Sequence, residues 1–175
     1  MLTNILLALG ILVALVLIYA ATRPDTFRIE RSVRMKAAPD KIFPHLVDFH
    51  NWSAWSPWEK LDPAMTRTYS GAASGVGAVY AWEGNKKVGK GRMEITDTTP
   101  SSRMVIKLDF LAPWEAHNST IYTLAASGGE TTVTCAMEGK NQFMGKVMGL
   151  FMNMDKMIGA DFEKGLANMK ALVER

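Results

Sequence analysis

From Thr66 to Gly139 the chain alternates apolar and polar residues through six successive segments, and at Gln142 the apolar spacing changes to three and four. The segments are Thr66–Ser70, Val76–Glu83, Val88–Asp97, Arg103–Leu111, Glu115–Ala126 and Thr131–Gly139. A period of two puts alternate side chains on opposite faces, so each segment reads as a half-buried β-strand. Gly71–Gly75, Gly84-Asn85, Pro100-Ser101-Ser102, Ala112-Pro113 and Ser127-Gly128-Gly129 mark the turns. A parallel pair needs a crossover of about a dozen residues, and these links are shorter, so consecutive strands must be antiparallel neighbours. Phe143, Val147, Leu150, Met154, Ile158 and Phe162 then recur at helical spacing, and the pattern runs on to Glu174. A kink is expected near Gly159, since an interior glycine costs about 1 kcal/mol against alanine.

Ahead of these strands, Phe27 to Lys36 also alternates, with Arg31 an exception on the apolar face. Pro39-Asp40 opens a helix, proline in its first turn and an acid near its positive end, with Ile42, Phe43, Leu46 and Val47 as its apolar stripe. Asp48 to Trp58 reads as a second short helical turn entering a loop at Ser56-Pro57. The order is strand, two short helices, six strands, long helix. That is an α+β fold: one curved antiparallel sheet of about seven strands, crossed by a long C-terminal helix that encloses space against it.

Aromatic residues gather where that space should lie. Trp52, Trp55 and Trp58 are spaced three apart, and Tyr80 and Trp82 share a strand face. Phe110, Asn118 and Tyr122 fall on inward rows of their strands, and Met154, Met157 and Phe162 come from the helix. With Glu83 at a strand end, these are the expected lining of an apolar cavity. The tryptophans have a second reading, in which they lock the short helices onto the sheet. Five methionines between Phe143 and Met157 suit a space that changes shape, although ordinary core packing accounts for any one of them.

Residues 1–22 carry no charged side chain. Leu2 to Ala21 is long enough as a helix to span a hydrocarbon core of about 30 Å, and Tyr19 lies near its end, where an aromatic ring prefers the interface. A cleaved signal peptide would want Lys or Arg before the apolar run, and cleavage after Ala20 or Ala21 would set Ile18 or Tyr19 three residues before the cut. A retained single-pass anchor over 1–22, with a soluble domain over 23–175, is therefore expected. The placement would be a cytoplasmic membrane. Arg23, Arg28, Arg31, Arg34 and Lys36 all follow the span, which leans the domain towards the cytoplasmic side.

Charge and motif content remove several function classes. Lys and Arg number 20 and Asp and Glu 17, a mild net +3 with no basic run and no glycine-rich phosphate loop, so nucleic acid and nucleotides are poor partners. Cys135 is the lone cysteine, which excludes an intrachain disulfide and a multi-cysteine metal site; its alternating strand suggests a buried, inert thiol. None of His45, His50 and His117 has a second ligand at metal spacing, and no cofactor motif is present, so neither metal nor cofactor is expected. No Gly-x-Ser-x-Gly elbow occurs, and no serine or cysteine has an identifiable base. His45 and His117 should face solvent, and His50 should lie nearer a cavity mouth. Cyclase chemistry would need a polar group inside the cavity; Glu83, Arg92, Asp109 and Asn118 are the strand candidates, of which Arg92 and Asp109 sit on polar faces.

The run Trp52-Ser53-Ala54-Trp55-Ser56-Pro57-Trp58-Glu59-Lys60-Leu61-Asp62-Pro63, continued by Thr68-Tyr69-Ser70-Gly71 and Gly75-Val76-Gly77, resembles bacterial SRPBCC proteins. These are relatives of START lipid-transfer domains and of polyketide cyclases/dehydrases. Phe143 to Leu172 is similar to their final helix, so the resemblance covers about Phe27 to Leu172. It implies the helix-grip fold, a curved sheet gripping the last helix around an apolar cavity. It also implies a lipid or other hydrophobic small molecule as the expected partner, with the membrane met through the N-terminal helix. The alternative it carries is a cyclase or dehydratase acting on an aromatic or polyketide-like substrate. No catalytic motif transfers residue by residue, and fold alone does not fix function.

Overall fold

The computed structural model describes residues 1–175. Helix α1 (Leu2–Ala21) is followed by β1 (Thr26–Met35), α2 (Pro39–Val47) and two short 3-10 turns, Phe49–Ala54 and Pro57–Lys60. Strands β2 (Thr66–Gly71), β3 (Ala78–Glu83), β4 (Lys90–Thr99), β5 (Arg103–Ala112), β6 (Ala116–Ser127) and β7 (Glu130–Lys140) come next, then α3 (Phe143–Met148) and α4 (Met154–Val173). All seven strands form one antiparallel sheet in the order β1-β7-β6-β5-β4-β3-β2, so β1 closes against the last strand.

The period-two patterns resolve into two faces. Ile29, Met104, Ile106, Tyr122, Val133 and Cys135 lie on the helix side and are buried, while Arg28, Glu30, Lys107 and His117 lie on the other side. Arg31 sits on the helix side, as its place in the apolar alternation requires. Its guanidinium pairs with Asp155 at 2.9 Å and Glu163 at 2.7 Å, both on α4. Further along, Lys170 Nζ donates to the Arg34 carbonyl (2.9 Å), and the Glu174 carboxylate accepts from the Lys36 amide (2.6 Å). Helix α4 thus runs alongside β1 in the same direction.

The C-terminal helical pattern is broken, but not where expected. Helix α3 ends before Gly149, and the Asn153 side chain caps α4 by accepting from the Lys156 amide at 2.9 Å. Gly159 stays helical and buried, because a side chain there would overlap the Arg31 guanidinium. Its absence of a Cβ serves an ion pair, not a kink. Helix α1 is long and apolar enough to cross a membrane and is almost wholly exposed; Ala20, near its end, is its one buried residue.

Candidate ligand site at the open end of the grip

Tryptophan 55 shows what the interior looks like at the α2 end. It is 1% exposed, its indole N–H donates to the His45 carbonyl at 3.0 Å, and its ring lies 4.9 Å from that of Trp52. Trp52 in turn donates to the Leu46 carbonyl at 2.9 Å, and both rings meet Tyr122 edge-on. These side chains belong to one apolar core with Met35, Ile42, Met104 and Met169. Trp52 and Trp55 therefore lock the short helices to the sheet, and this half of the interior is filled.

The other end differs. Cross-strand pairing aligns Tyr80, Met93, Leu108, Asn118, Gly139 and Phe27 in one row, and Arg67, Trp82, Gly91, Phe110 and Ala116 in the next. Phe27, Trp82, Met93, Phe110 and Asn118 are only half-buried, as is Trp58, which meets Phe162 of α4 edge-on with ring centroids 6.0 Å apart. Gly91 lets Trp82 lie flat across the sheet towards Phe110, 5.9 Å away; a Cβ there would overlap the indole and the Asp109 carbonyl. Adding a methyl usually gains stability from a strand glycine, by about 0.5–1 kcal/mol. Here overpacking wins, and Gly91→Ala is expected to lose about 1–3 kcal/mol, read as a lower urea midpoint.

A polar cluster is set into this aromatic wall. The second 3-10 turn carries Glu59 over β2 and β3, where its side chain is 7% exposed. One carboxylate oxygen accepts from the Tyr80 hydroxyl at 2.6 Å and the other from Arg67 Nε at 2.7 Å. Arg67 also donates to the Glu59 and Met65 carbonyls at 3.0 and 2.9 Å. Burial, followed by the bond to Glu59, pushes the Tyr80 phenol well above its ordinary pKa of 10, so it stays protonated and acts as a donor. Each Glu59 oxygen retains an unused lone pair. Deeper in, Tyr122 lies beside Cys135; burial raises both, the thiol to about 12, which makes it inert as anticipated.

The expected lining residues divide accordingly. Trp58, Trp82, Phe110 and Asn118 are half-buried at the open end, whereas Trp52, Trp55, Tyr80, Tyr122 and Phe162 are packed inside. Glu83 does not join them: strand alternation turns it to the opposite face from Trp82, where it pairs with Lys90 at 2.9 Å. Met154 and Met157 also stand apart, largely exposed on the first turns of α4. His45 is half-buried with Nδ1 unpartnered, not solvent-facing. His50 stacks on Tyr69 at 4.1 Å and bonds Asp48 at 2.9 Å. Glu59 and Arg67 were not among the expected site residues. The available signal was Arg67 itself, a charge on the inward row of β2 that needs a buried partner.

Two depressions open on the sheet's outer surface, of about 730 Å³ beside Arg28, Lys107, His117 and Lys140, and about 290 Å³ beside Thr68, Glu83, Lys90 and Arg92. Both are lined mainly by polar side chains facing away from α4. Between β5 and β6 on this face, Asp109 accepts from His117 Nδ1 at 2.7 Å and pairs with Lys107 at 3.1 Å. Burial pushes Asp109 up, but the bonds from His117 and Lys107 outweigh it and hold the carboxyl below 3.8. The bond to Asp109 lifts His117 above 6.5. The histidine's contribution to stability is full below pH 6.5 and fades as pH rises through its raised pKa. The Asp109 contribution is full above pH 3.8 and fades as pH falls through its lowered one. NMR titration should find His117 above 6.5, and Asp109→Asn should return it towards that value; an unchanged His117 in the variant would refute the pairing.

Seven antiparallel strands gripping a terminal helix, with a half-buried aromatic end around a carboxylate, a phenol and a guanidinium, define a helix-grip protein. The chain belongs to the family described as polyketide cyclase / dehydrase and lipid transport, which its residues 26–174 match. No curated protein matches the sequence. Among solved structures, protein CV1439 from Chromobacterium violaceum is similar at 17% identity and a TM-score of 0.60, covering 87% of this chain and 99% of that one. Ara h 8.0201 is similar at 11% identity and a TM-score of 0.57, covering 85% and 97%. The di-domain ARO/CYC StfQ from the steffimycin biosynthetic pathway is similar at 12% identity and a TM-score of 0.60, covering 85% of this chain and 51% of that one. At these identities the likeness is one of fold.

Proposed function

We propose that this chain is a membrane-anchored binding module that holds a lipid or other hydrophobic small molecule at the open end of the grip. The observation that carries the reading is the Glu59–Arg67–Tyr80 cluster set among Trp58, Trp82 and Phe110. Apolar side chains left half-buried on the concave face favour an apolar body, and the cluster offers acceptor positions for one hydroxyl at its head. Helix α1 serves as the tether: an apolar helix of 20 residues with almost no buried surface is stable in lipid and poorly suited to water.

A second reading is a cyclase or dehydratase, favoured by the 2.6 Å contact between Tyr80 and Glu59, a donor and an acceptor in one apolar surround. The cluster satisfies itself internally, so its donors are committed before a substrate arrives, and binding is the better-supported role.

The test is native mass spectrometry of residues 23–175, which retain every member of the apolar core, purified from cells without detergent. A discrete adduct that survives desalting is the expected result, and its mass narrows the ligand class. A clean apo mass would overturn the stored-ligand reading and move weight to the transient substrate of an enzyme.

A further inference from the structure

Cross-strand register collects several separate features at one end of the sheet. Thr26 pairs with Lys140, Phe110 with Ala116, and Glu83 with Lys90. The exit of α1, the β3–β4 and β5–β6 hairpin tips and the start of α3 therefore all leave from this end. Helix α3 packs against α1, Lys146 Nζ reaches the Asp25 carboxylate at 2.5 Å, and the Asn141 amide donates to the Asp25 carbonyl at 2.7 Å. Because α4 runs along β1 in the same direction, its first turn is here too.

This end is where apolar side chains stand in solvent. Trp114 is 77% exposed on the β5–β6 tip, Met144 67% on α3 and Phe151 75% between α3 and α4, with Phe143, Met148 and Met157 beside them. At the opposite end, the turns Gly71–Gly77, Thr99–Ser102 and Ser127–Gly129 expose one large apolar side chain, Val76. This end also carries unpaired positive charge: Asp25, Glu83 and Glu115 are taken up by Lys146, Lys90 and His117, whereas Arg23, Lys86, Lys87 and Lys140 have no acidic partner.

We propose that this end of the domain is a membrane-contact surface, with Trp114 and the Phe143–Met157 segment seated in the headgroup layer of an anionic bilayer beside the exit of α1. The inference rests on the reading of α1 as an anchor. Only Thr22 to Asp25 separate α1 from β1, a reach of about 14 Å, so an anchored domain cannot stand clear of the surface. A tryptophan on a hairpin tip and an exposed Phe/Met segment suit the boundary between headgroups and acyl chains. Each unpaired Lys or Arg near an anionic leaflet adds about 1 kcal/mol of attraction. The half-buried aromatic end of the grip opens on this same side, so an apolar ligand would pass between bilayer and site without crossing bulk water.

The full chain, reconstituted in phosphatidylcholine–phosphatidylglycerol vesicles, tests this with an environment-sensitive fluorophore on single introduced cysteines. Cys135, buried with an unreactive thiol, stays in place. The positions are Phe151→Cys and Trp114→Cys at the proposed surface, Ser127→Cys at the opposite end and Leu12→Cys within α1. Expected is blue-shifted emission at 151 and 114, quenched by shallow doxyl lipids to within a factor of about two of the quenching that deep doxyl lipids give at position 12, with 127 unaffected. Quenching at 12 with water-like emission at 151 and 114 overturns the contact surface and leaves the anchor standing. No quenching at 12 overturns both. Blue-shifted emission at 151 and 114 without lipid quenching means a second copy or another protein covers this end, and also overturns the proposal.

Discussion

Trp55→Ala should remove about 3–5 kcal/mol of stability, a large share of the roughly 5–15 kcal/mol that holds a domain of this size together. Trp55 ties three elements at once. Its N–H bonds the end of α2, its carbonyl accepts from Asn168 of α4 at 2.9 Å, and its ring meets Tyr122 of β6. Gly165, also of α4, lies against the indole and has no side chain with which to fill the void left by truncation. The measurement is the urea midpoint with an unchanged slope. A loss under about 1 kcal/mol would mean that the ring lines open space and is not packed. Trp114→Ala, at an exposed hairpin tip, is the matched control and should fall within about 0.5 kcal/mol of the parent.

Glu59→Ala should cost about 3 kcal/mol and abolish retention of the proposed ligand. Removing the carboxylate strands the Arg67 charge and leaves the Tyr80 hydroxyl without its acceptor, and an orphaned buried partner loses more than the net worth of the bond. The double variant Glu59→Ala/Tyr80→Phe separates these effects. It should recover about 1 kcal/mol of the loss, because the orphan hydroxyl is gone, yet it should still bind no ligand. If Glu59→Ala retains the same adduct as the parent, the cluster plays no part in recognition and the site must lie elsewhere.

The sheet was legible because its signal is local. Every strand from Thr66 to Gly139 carries its own alternation and its own turn, and the observed boundaries fall within two or three residues of those expected. The break in the last helix was misplaced because glycine content measures helix propensity alone. Gly159 is retained by a cross-element contact with Arg31, whereas the true break at Gly149–Asn153 follows from the Asn153 cap. The site was less legible for a related reason. Glu59 and Arg67 are eight residues apart, on a 3-10 turn and a strand, and no helical or strand period links them. The expected cavity conflated two things that aromatic content cannot separate: Trp52 and Trp55 fill the interior, while Trp58 and Trp82 border its open end. Glu83 was assigned by closeness in sequence to Trp82, but a one-residue step along a strand reverses the face.

The pairing of β1 with β7 has a consequence for biogenesis. Arg28 and Glu138, joined across the two strands, are 110 residues apart in the chain, so the first strand made is among the last to find its neighbour. With α1 as the proposed anchor, β1 would be held at the membrane surface while the remaining strands emerge, its edge open to other chains. The charges of Arg28, Glu30 and Arg34 spaced along it keep that waiting edge from pairing with the wrong partner. Contacts this distant in sequence slow folding, and the sheet can be completed only after Lys140 has left the ribosome.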